Sequence, residues 1–259
     1  MQHRARKRFG QNFLIDRDVI ARLVETVCPQ PEDLLIEIGP GQAAMTLPLA
    51  DSGAEMVLLE IDRDLAARLR TDFAAYPKVS IHEGDALKED LGALAGSRPF
   101  RLLGNLPYNI STPLLFHALQ WSDQIRDMHF MLQQEVVQRL AAVPGSKAWG
   151  RLSIMCQYRC AVAPLFDVPP TAFSPAPRVT SSVVRLVPHA SPPVQVDDPA
   201  GFERVVKQAF SQRRKTLRNS LRSLVDAAAM EAAGIDPGAR PETLGLGEFA
   251  VLSRLLADQ

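Results

Sequence analysis

Leu34-Leu35-Ile36-Glu37-Ile38 runs directly into Gly39-Pro40-Gly41. A short apolar run without alternation suits a strand buried on both faces, the habit of parallel sheets. Parallel strands need a crossover, and helical spacing follows at once in Met45, Leu47 and Leu49. Strand, glycine turn and helix make the first βαβ unit of a nucleotide-binding α/β sheet. Glycine lets the backbone turn tightly and approach a ligand closely. The next apolar run, 56–59, ends in Glu60, about twenty residues past the turn, where a carboxylate accepts hydrogen bonds from ribose hydroxyls. A G-x-G turn alone is weak evidence, and the acid after the second strand strengthens it.

Leu65, Leu69 and Phe73 mark the following helix, residues 79–82 a third strand, and Gly84-Asp85 puts another carboxylate on the same edge. Taken singly, Asp85 also fits a helix N-cap or turn. A fourth apolar run, Leu102-Leu103-Gly104, ends in Asn105-Leu106-Pro107-Tyr108. The amino group of a nucleobase is a poor nucleophile, because its lone pair is delocalised into the ring. An Asn105 carboxamide oxygen and the Leu106 carbonyl can accept its two hydrogens and favour the amine-like geometry. Pro107 fixes its own φ and biases Leu106 towards an extended conformation, which aims that carbonyl. Tyr108 offers a flat face for a base. By itself the tetrapeptide is also an ordinary Pro-containing turn after a strand. The order decides: glycine turn, Glu60, Asp85 and Asn105 follow four successive strands and converge on the carboxyl edge, where α/β sheets bind ligands. That is the layout of an S-adenosylmethionine-dependent methyltransferase with a target-amine motif.

The remaining chain extends this frame. Asp16 is placed to cap a helix over 17–27, ended by Pro29 and Pro31. Helices are expected over 112–119, 135–142 and 151–158, and a fifth strand over 127–133. Strands over 160–168 and 179–187, joined by a Pro-rich bend, would finish the sheet as an antiparallel hairpin. Residues 188–199, rich in Pro, Ser and Asp, read as a linker. Beyond it the pattern is helical, with Phe210, Leu217, Leu221 and Leu224 on one face and Lys207, Arg214, Arg218 and Arg222 on another. The expected fold is a Rossmann-like class I methyltransferase domain, 1–188, of parallel strands plus the hairpin. A small all-helical domain, 189–259, would follow it.

Apolar content of 46% and charged content of 22% over 259 residues are those of an ordinary globular protein. The formal net charge is zero, but cations cluster. Arg4, Arg6, Lys7 and Arg8 precede the first acid, and Arg213, Arg214, Lys215, Arg218 and Arg222 crowd the C-terminal region. Such clusters suit RNA phosphates, although a solvated helix face has the same composition. The three cysteines form no C-x-x-C and no histidine stands at ligand spacing, so neither a disulfide nor a metal is expected. With no membrane-length apolar run and no signal-type N-terminus, the expected location is the cytoplasm.

The sequence resembles the KsgA-type small-subunit (16S) ribosomal RNA adenine dimethyltransferases over nearly its whole length. The motifs are Gln11-Asn12-Phe13-Leu14, Glu37-Ile38-Gly39-Pro40-Gly41, Asn105-Leu106-Pro107-Tyr108-Asn109-Ile110-Ser111, Phe173-Ser174-Pro175-Ala176-Pro177-Arg178-Val179 and Gln212-Arg213-Arg214-Lys215-Thr216-Leu217-Arg218-Asn219. Trp149 stands where the family pattern leads one to expect Tyr. The resemblance implies that Asn12, Leu14, Gly39, Glu60, Asp85 and Asn105 bind S-adenosylmethionine. It implies that Asn105, Leu106, Pro107 and Tyr108, with Phe173, handle the target base. The implied reaction methylates the N6 amines of two adjacent adenosines, twice each, in the rRNA of an immature small subunit, by a monomer without metal. Simple core packing is the other reading of Phe173. Alternatives are an adenine methyltransferase of large-subunit rRNA, a non-catalytic rRNA-binding assembly factor and an NAD-dependent oxidoreductase. The last fits the glycine turn but leaves Asn105 to Tyr108 without a role.

Overall fold

The computed structural model describes residues 11–212 and 214–257. The chain forms two compact units, residues up to 137 with 162–188, and 138–161 with the chain from 189 onward. A contiguous division at residue 188 therefore misses one segment, 138–161, which groups with the C-terminal helices.

In the first unit, helix α1 (Arg17–Val27) begins where Asp16 Oδ1 accepts from the Asp18 and Val19 N–H groups, and it ends at a left-handed Cys28. Strand β2 (Leu34–Ile38) is buried throughout. Helices α2 (Thr46–Ala50), α3 (Arg63–Asp72), α4 (Leu91–Leu94) and α5 (Ser111–Ala118) alternate with strands β3 (Glu55–Glu60), β4 (Val79–Glu83), β5 (Phe100–Asn105) and β6 (Ile125–Gln133). These strands pair in parallel, while β9 (Ser181–Pro188) runs antiparallel to β6. With β7 (Cys160–Val168) at the far edge, the sheet order is β4-β3-β2-β5-β6-β9-β7. The expected terminal pair thus closes the sheet, and the fold is α/β as read. From β2 the chain builds outward to β4 and then crosses back to β5, so the carboxyl ends of β2 and β5 flank the switch point where such sheets bind ligands. A separate ribbon pairs β1 (Phe13–Leu14) with β8 (Phe173–Ser174), Leu14 opposite Phe173.

At the amino edge of the sheet, a buried ion network joins three strands. The Arg101 guanidinium donates to Asp33 at 2.8 Å, to Asp127 at 2.8 and 3.0 Å, and to the Val27 carbonyl at 2.7 Å. Arg126 and Arg185 reach the same two carboxylates from outside.

In the second unit, α7 (Arg151–Arg159) packs against α8 (Pro199–Ala209), the Tyr158 and Phe202 rings lying 4.8 Å apart. Trp149 Nε1 donates to the Leu244 carbonyl at 2.8 Å, and Phe210 of the α8 C-cap meets Phe249 of α11 (Leu246–Ala257). These contacts explain why 138–161 joins this unit. The helical pattern read through Lys207 to Leu224 is broken. It stops at Ala209, Arg214 is left-handed at φ 67°, and α9 covers only Leu217–Ser220. The Leu217 and Arg218 N–H groups bond the Ala239 and Pro237 carbonyls, which replace the preceding helical turn. Tertiary pairing has overridden helix periodicity here, so the two faces expected across 207–224 do not belong to one helix. Helix α10 (Ala227–Ala232) and α11 complete the helical C-terminal region.

Arg101→Met would leave two buried carboxylates without their central cation, and urea unfolding should show a loss of about 3–5 kcal/mol. Arg68→Met, at the half-exposed Arg68–Asp72 pair, should cost under about 1 kcal/mol. Equal losses would show that the Arg101 network contributes no more than a surface pair.

Candidate active site

The carboxyl ends of β2, β3 and β5, with the turn after β4, line a cavity of about 280 Å³. Gly39 and Gly41 have φ of 65° and 58°, and a Cβ on Gly41 would lie 3.1 Å from the Phe13 ring. The turn therefore needs glycine for both conformation and space. It is tied to the next strand: the Gly41 N–H donates to Glu60 Oε2 at 3.1 Å, and the Asp62 N–H to Oε1 at 2.9 Å. Glu60 is 3% exposed, and burial raises its carboxyl pKa against the lowering effect of those two donors. Each oxygen keeps a further lone pair for a ligand hydroxyl.

Asp85 makes the turn contact and also borders the cavity. Oδ1 accepts from the Leu87 N–H at 3.1 Å, as a turn residue does, and the side chain lines the cavity. Asn105 Nδ2 donates to the Asn12 backbone carbonyl at 3.0 Å. That bond fixes the carboxamide orientation and leaves Oδ1 as an acceptor. The Leu106 N–H continues the ladder to the Met131 carbonyl, and the Ile110 N–H closes a turn onto the Pro107 carbonyl. The Leu106 carbonyl accepts no hydrogen bond from the described residues. Half-buried Tyr108 has its hydroxyl 2.8 Å from Ser181 Oγ; burial raises its pKa and the Ser181 bond opposes the rise.

Asn12, Leu14, Gly39, Glu60, Asp85, Asn105, Leu106, Pro107 and Tyr108 all line this one cavity. Phe173 does not. Its side chain is 4% exposed and packs in the hydrophobic core with Leu14, Val168 and Ala172. Arg214, Lys215, Arg218 and Arg222 are exposed on the second unit, Arg218 lying 3.6 Å from Glu231. Arg4, Arg6, Lys7, Arg8 and Arg213 lie outside the described residues. Among the described residues no cluster of His, Cys, Asp or Glu suits a metal, and no helix is long and apolar enough to cross a membrane. Burial pushes the Cys156 and Cys160 thiols upward, the latter to about 12.

Ile61 and Glu37 are lining residues to which the sequence reading gives no role. Ile61, 46% exposed, adds an apolar wall beside Glu60. Glu37 is the second: Oε2 accepts from Thr46 Oγ1 at 2.7 Å, while buried Oε1 has no partner among the described residues. Burial raises its pKa to about 7, Thr46 opposes the rise and Glu60 adds to it. Its signal lay in the sequence, as an acid inside an otherwise apolar strand, where an ionised group is costly. Geometry and donor set fit a nucleoside-type cofactor: carboxylates for hydroxyls, a glycine turn for close approach, and apolar walls.

The family model described as ribosomal RNA adenine dimethylase matches residues 2–258. The chain is 56% identical to a ribosomal RNA small subunit methyltransferase A from Pseudomonas fluorescens, covering 100% of this chain and 96% of the relative. To the protein of that name from Chromohalobacter salexigens it is 54% identical, covering 99% and 93%. Among solved structures, the 23S rRNA methyltransferase ErmE superposes with a TM-score of 0.72 at 27% identity, over 96% of this chain and 100% of that one. A dimethyladenosine transferase from Plasmodium falciparum shares the fold, with a TM-score of 0.80 at 22% identity over 93% and 95%. A full-length match of this kind, on a sheet edge that gathers the target-amine motif and the nucleotide-type carboxylates into one cavity, places the chain in the ribosomal RNA adenine dimethylase family.

Proposed function

We propose that the chain transfers methyl groups from S-adenosylmethionine to the N6 amines of two adjacent adenosines in small-subunit (16S) rRNA, giving N6-dimethyladenosines. The observation that carries this reading is an Asn105 carboxamide held by the Asn12 carbonyl with its oxygen available as acceptor, in the cavity that Glu60 and Asp85 share. Relatives at 56% and 54% identity bear a small-subunit name, whereas ErmE, named for 23S rRNA, stands at 27%. That ordering favours the small-subunit substrate.

Asn12, Leu14, Gly39, Glu60, Asp85 and Asn105 would hold the donor. When bound, S-adenosylmethionine supplies a methyl group already activated on a sulfonium, so the protein contributes orientation and polarity. Asn105 Oδ1 and the Leu106 carbonyl accept the two hydrogens of the target amine, which draws its lone pair out of conjugation. Pro107 holds the turn that aims them. The base leaves its stack to reach the cavity, and Tyr108 receives it face on. Phe173, packed in the core beside Leu14, is proposed as the opposing ring. Arg214, Lys215, Arg218 and Arg222, with Arg4, Arg6, Lys7, Arg8 and Arg213, would contact phosphates. In this reading the methyltransferase domain is 1–188 without the segment 138–161, and that segment with 189–259 makes the RNA-binding helical domain. The chain acts as a cytoplasmic monomer, without metal, on an immature small subunit.

Methyl transfer to unmethylated small subunits, mature small subunits, large subunits and free 16S rRNA, with mass spectrometry of the digested RNA, tests this directly. Dimethyladenosine on the unmethylated small subunit alone is expected. Label confined to 23S rRNA would overturn the substrate. With donor saturating, Asn105→Ala should keep its RNA affinity yet lose single-turnover rate on the order of a hundredfold or more, by analogy with removal of an oxyanion-hole donor. Parent-like single-turnover rates would reduce Asn105 to a turn residue.

Glu60→Ala should weaken donor binding by about 1.5–3 kcal/mol in calorimetry, because the hydroxyls lose a charged acceptor. RNA affinity measured without donor should hold steady. Unchanged donor affinity would remove Glu60 from the site.

Glu37 makes folding stability depend on pH with a definite sign. Its folded pKa, about 7, lies above the ordinary 4.5. Between those values the folded carboxyl keeps a proton that the unfolded one has lost. Its contribution to stability is therefore complete below about pH 4.5, falls as pH rises through 7, and amounts to about 3 kcal/mol. Glu37→Gln abolishes this titration, so the variant should gain about that much relative to the parent between pH 4.5 and 8. Urea unfolding at both pH values checks it; parallel curves for the two proteins would show that Glu37 ionises normally.

A further inference from the structure

The Tyr108 hydroxyl lies 2.8 Å from Ser181 Oγ, and Ser181 is fully buried at the first position of β9, outside the cavity. Ser181 is itself immobilised. It stands opposite Gln133 in the β6–β9 ladder, and the next N–H along, that of Gln134, bonds the Thr180 carbonyl at 3.0 Å. Side chains alternate along a strand, and here two successive serines serve different partners: Ser181 bonds Tyr108, Ser182 bonds Asp167 Oδ1. The register of β9 on β6 thus selects which hydroxyl faces Tyr108. By contrast, Tyr108 lies on a turn between β5 and α5, where its side chain has two rotatable bonds.

From this geometry we infer that Ser181 is a positioning residue for the reaction: it tethers the Tyr108 hydroxyl so that the ring stays in one plane while the base is methylated twice. The inference rests on the proposed role of Tyr108 as the platform for the base. A buried serine hydroxyl needs some partner, and a backbone carbonyl would satisfy it equally well. This one is satisfied by the aromatic side chain of the target-amine motif. The tether matters most at the second transfer. After the first, the amine holds one hydrogen and one methyl and must rotate about its bond to the ring. A base clamped by stacking permits that rotation only while the platform itself does not turn. The same segment that carries Ser181 begins at Phe173, whose strand pairs with β1. Residues 173–181 therefore anchor one end on the donor-side ribbon and the other on the base platform.

Ser181→Ala and Tyr108→Phe each remove one half of the tether and keep the ring. Each should slow single-turnover methylation about three- to tenfold, the effect of one hydrogen bond. Each should raise the ratio of monomethyl- to dimethyladenosine and leave donor and RNA dissociation constants at parent values. The double variant should be no worse than either single one, since both delete the same bond. Tyr108→Ala separates the two levels of the argument. If Tyr108→Ala methylates like the parent, the platform reading fails and the tether fails with it. If Tyr108→Ala is impaired while Tyr108→Phe keeps parent rates and product ratio, the platform stands and the tether alone is overturned. Additive losses in the double variant would also overturn it. Because Tyr108→Phe removes only a hydroxyl, it decides the matter even if Ser181→Ala does not fold.

Discussion

Everything at the cavity depends on how closely β2 and β5 lie against each other. Glu37 stands opposite Leu103 in that ladder, and a Cβ placed on Gly104 would come within 2.5 Å of the Ile38 carbonyl oxygen. No side chain fits there, so Gly104 is the condition for β5 to follow β2 to its end. That approach sets Asn105 beside the glycine turn instead of a residue's width away. Leu34 to Ile38 are buried because β3 and β5 flank them, and the strand composition reflects it. The single exception, Glu37, is the residue whose carboxyl enters the cavity wall.

A second constraint joins the segment before α1 to the β5 terminus and to β8. The β1–β8 ribbon places Leu14 opposite Phe173, the Ile15 N–H bonds the Ala172 carbonyl, and the adjoining Asn12 carbonyl receives the Asn105 amide. Residues from three distant parts of the sequence thereby meet on one short backbone stretch. Local preference plays little part in this; a two-residue strand has no stability of its own. It persists because Leu14 and Phe173 are both buried in the same core cluster.

The inner strands β2, β3 and β5 were legible because they are short apolar runs ended by polar residues, a pattern that burial on both faces enforces. The α1 cap at Asp16 and the residues at the strand ends were equally readable, since each sits where periodicity stops. The C-terminal region was less so. Its apolar spacing fits one long helix, yet the Leu217 and Arg218 N–H groups pair with a segment some twenty residues later, a choice that no local pattern encodes. Segment 138–161 likewise carries ordinary helical spacing, and only its packing, through Trp149 and Tyr158, shows which unit it serves. Phe173 shows the limit of motif reading from the other side. An aromatic side chain beside a base motif and one filling a core have the same sequence, and here the ring is in the core.

The choice of asparagine at position 105 follows from the bond that its amide makes and the one that the proposed reaction requires. Its Nδ2 donates to the Asn12 carbonyl, and in the proposed reaction its Oδ1 accepts from an amine. An aspartate would set a carboxylate oxygen against that carbonyl oxygen, with no hydrogen between them. Burial and this repulsion would together favour a protonated acid, which can donate but then offers a weaker acceptor. A serine could donate or accept through one atom only, and so could not span the carbonyl on one side and the cavity on the other. Glutamine has the right groups on a longer, freer stem, which would cost more entropy to hold. The carboxamide of asparagine is the shortest side chain that carries a donor and an acceptor on separate atoms. Its place at the last residue of β5 follows from the same need. The strand ladder fixes its backbone, and the Asn12 carbonyl fixes its rotamer, so the acceptor is oriented before any base arrives.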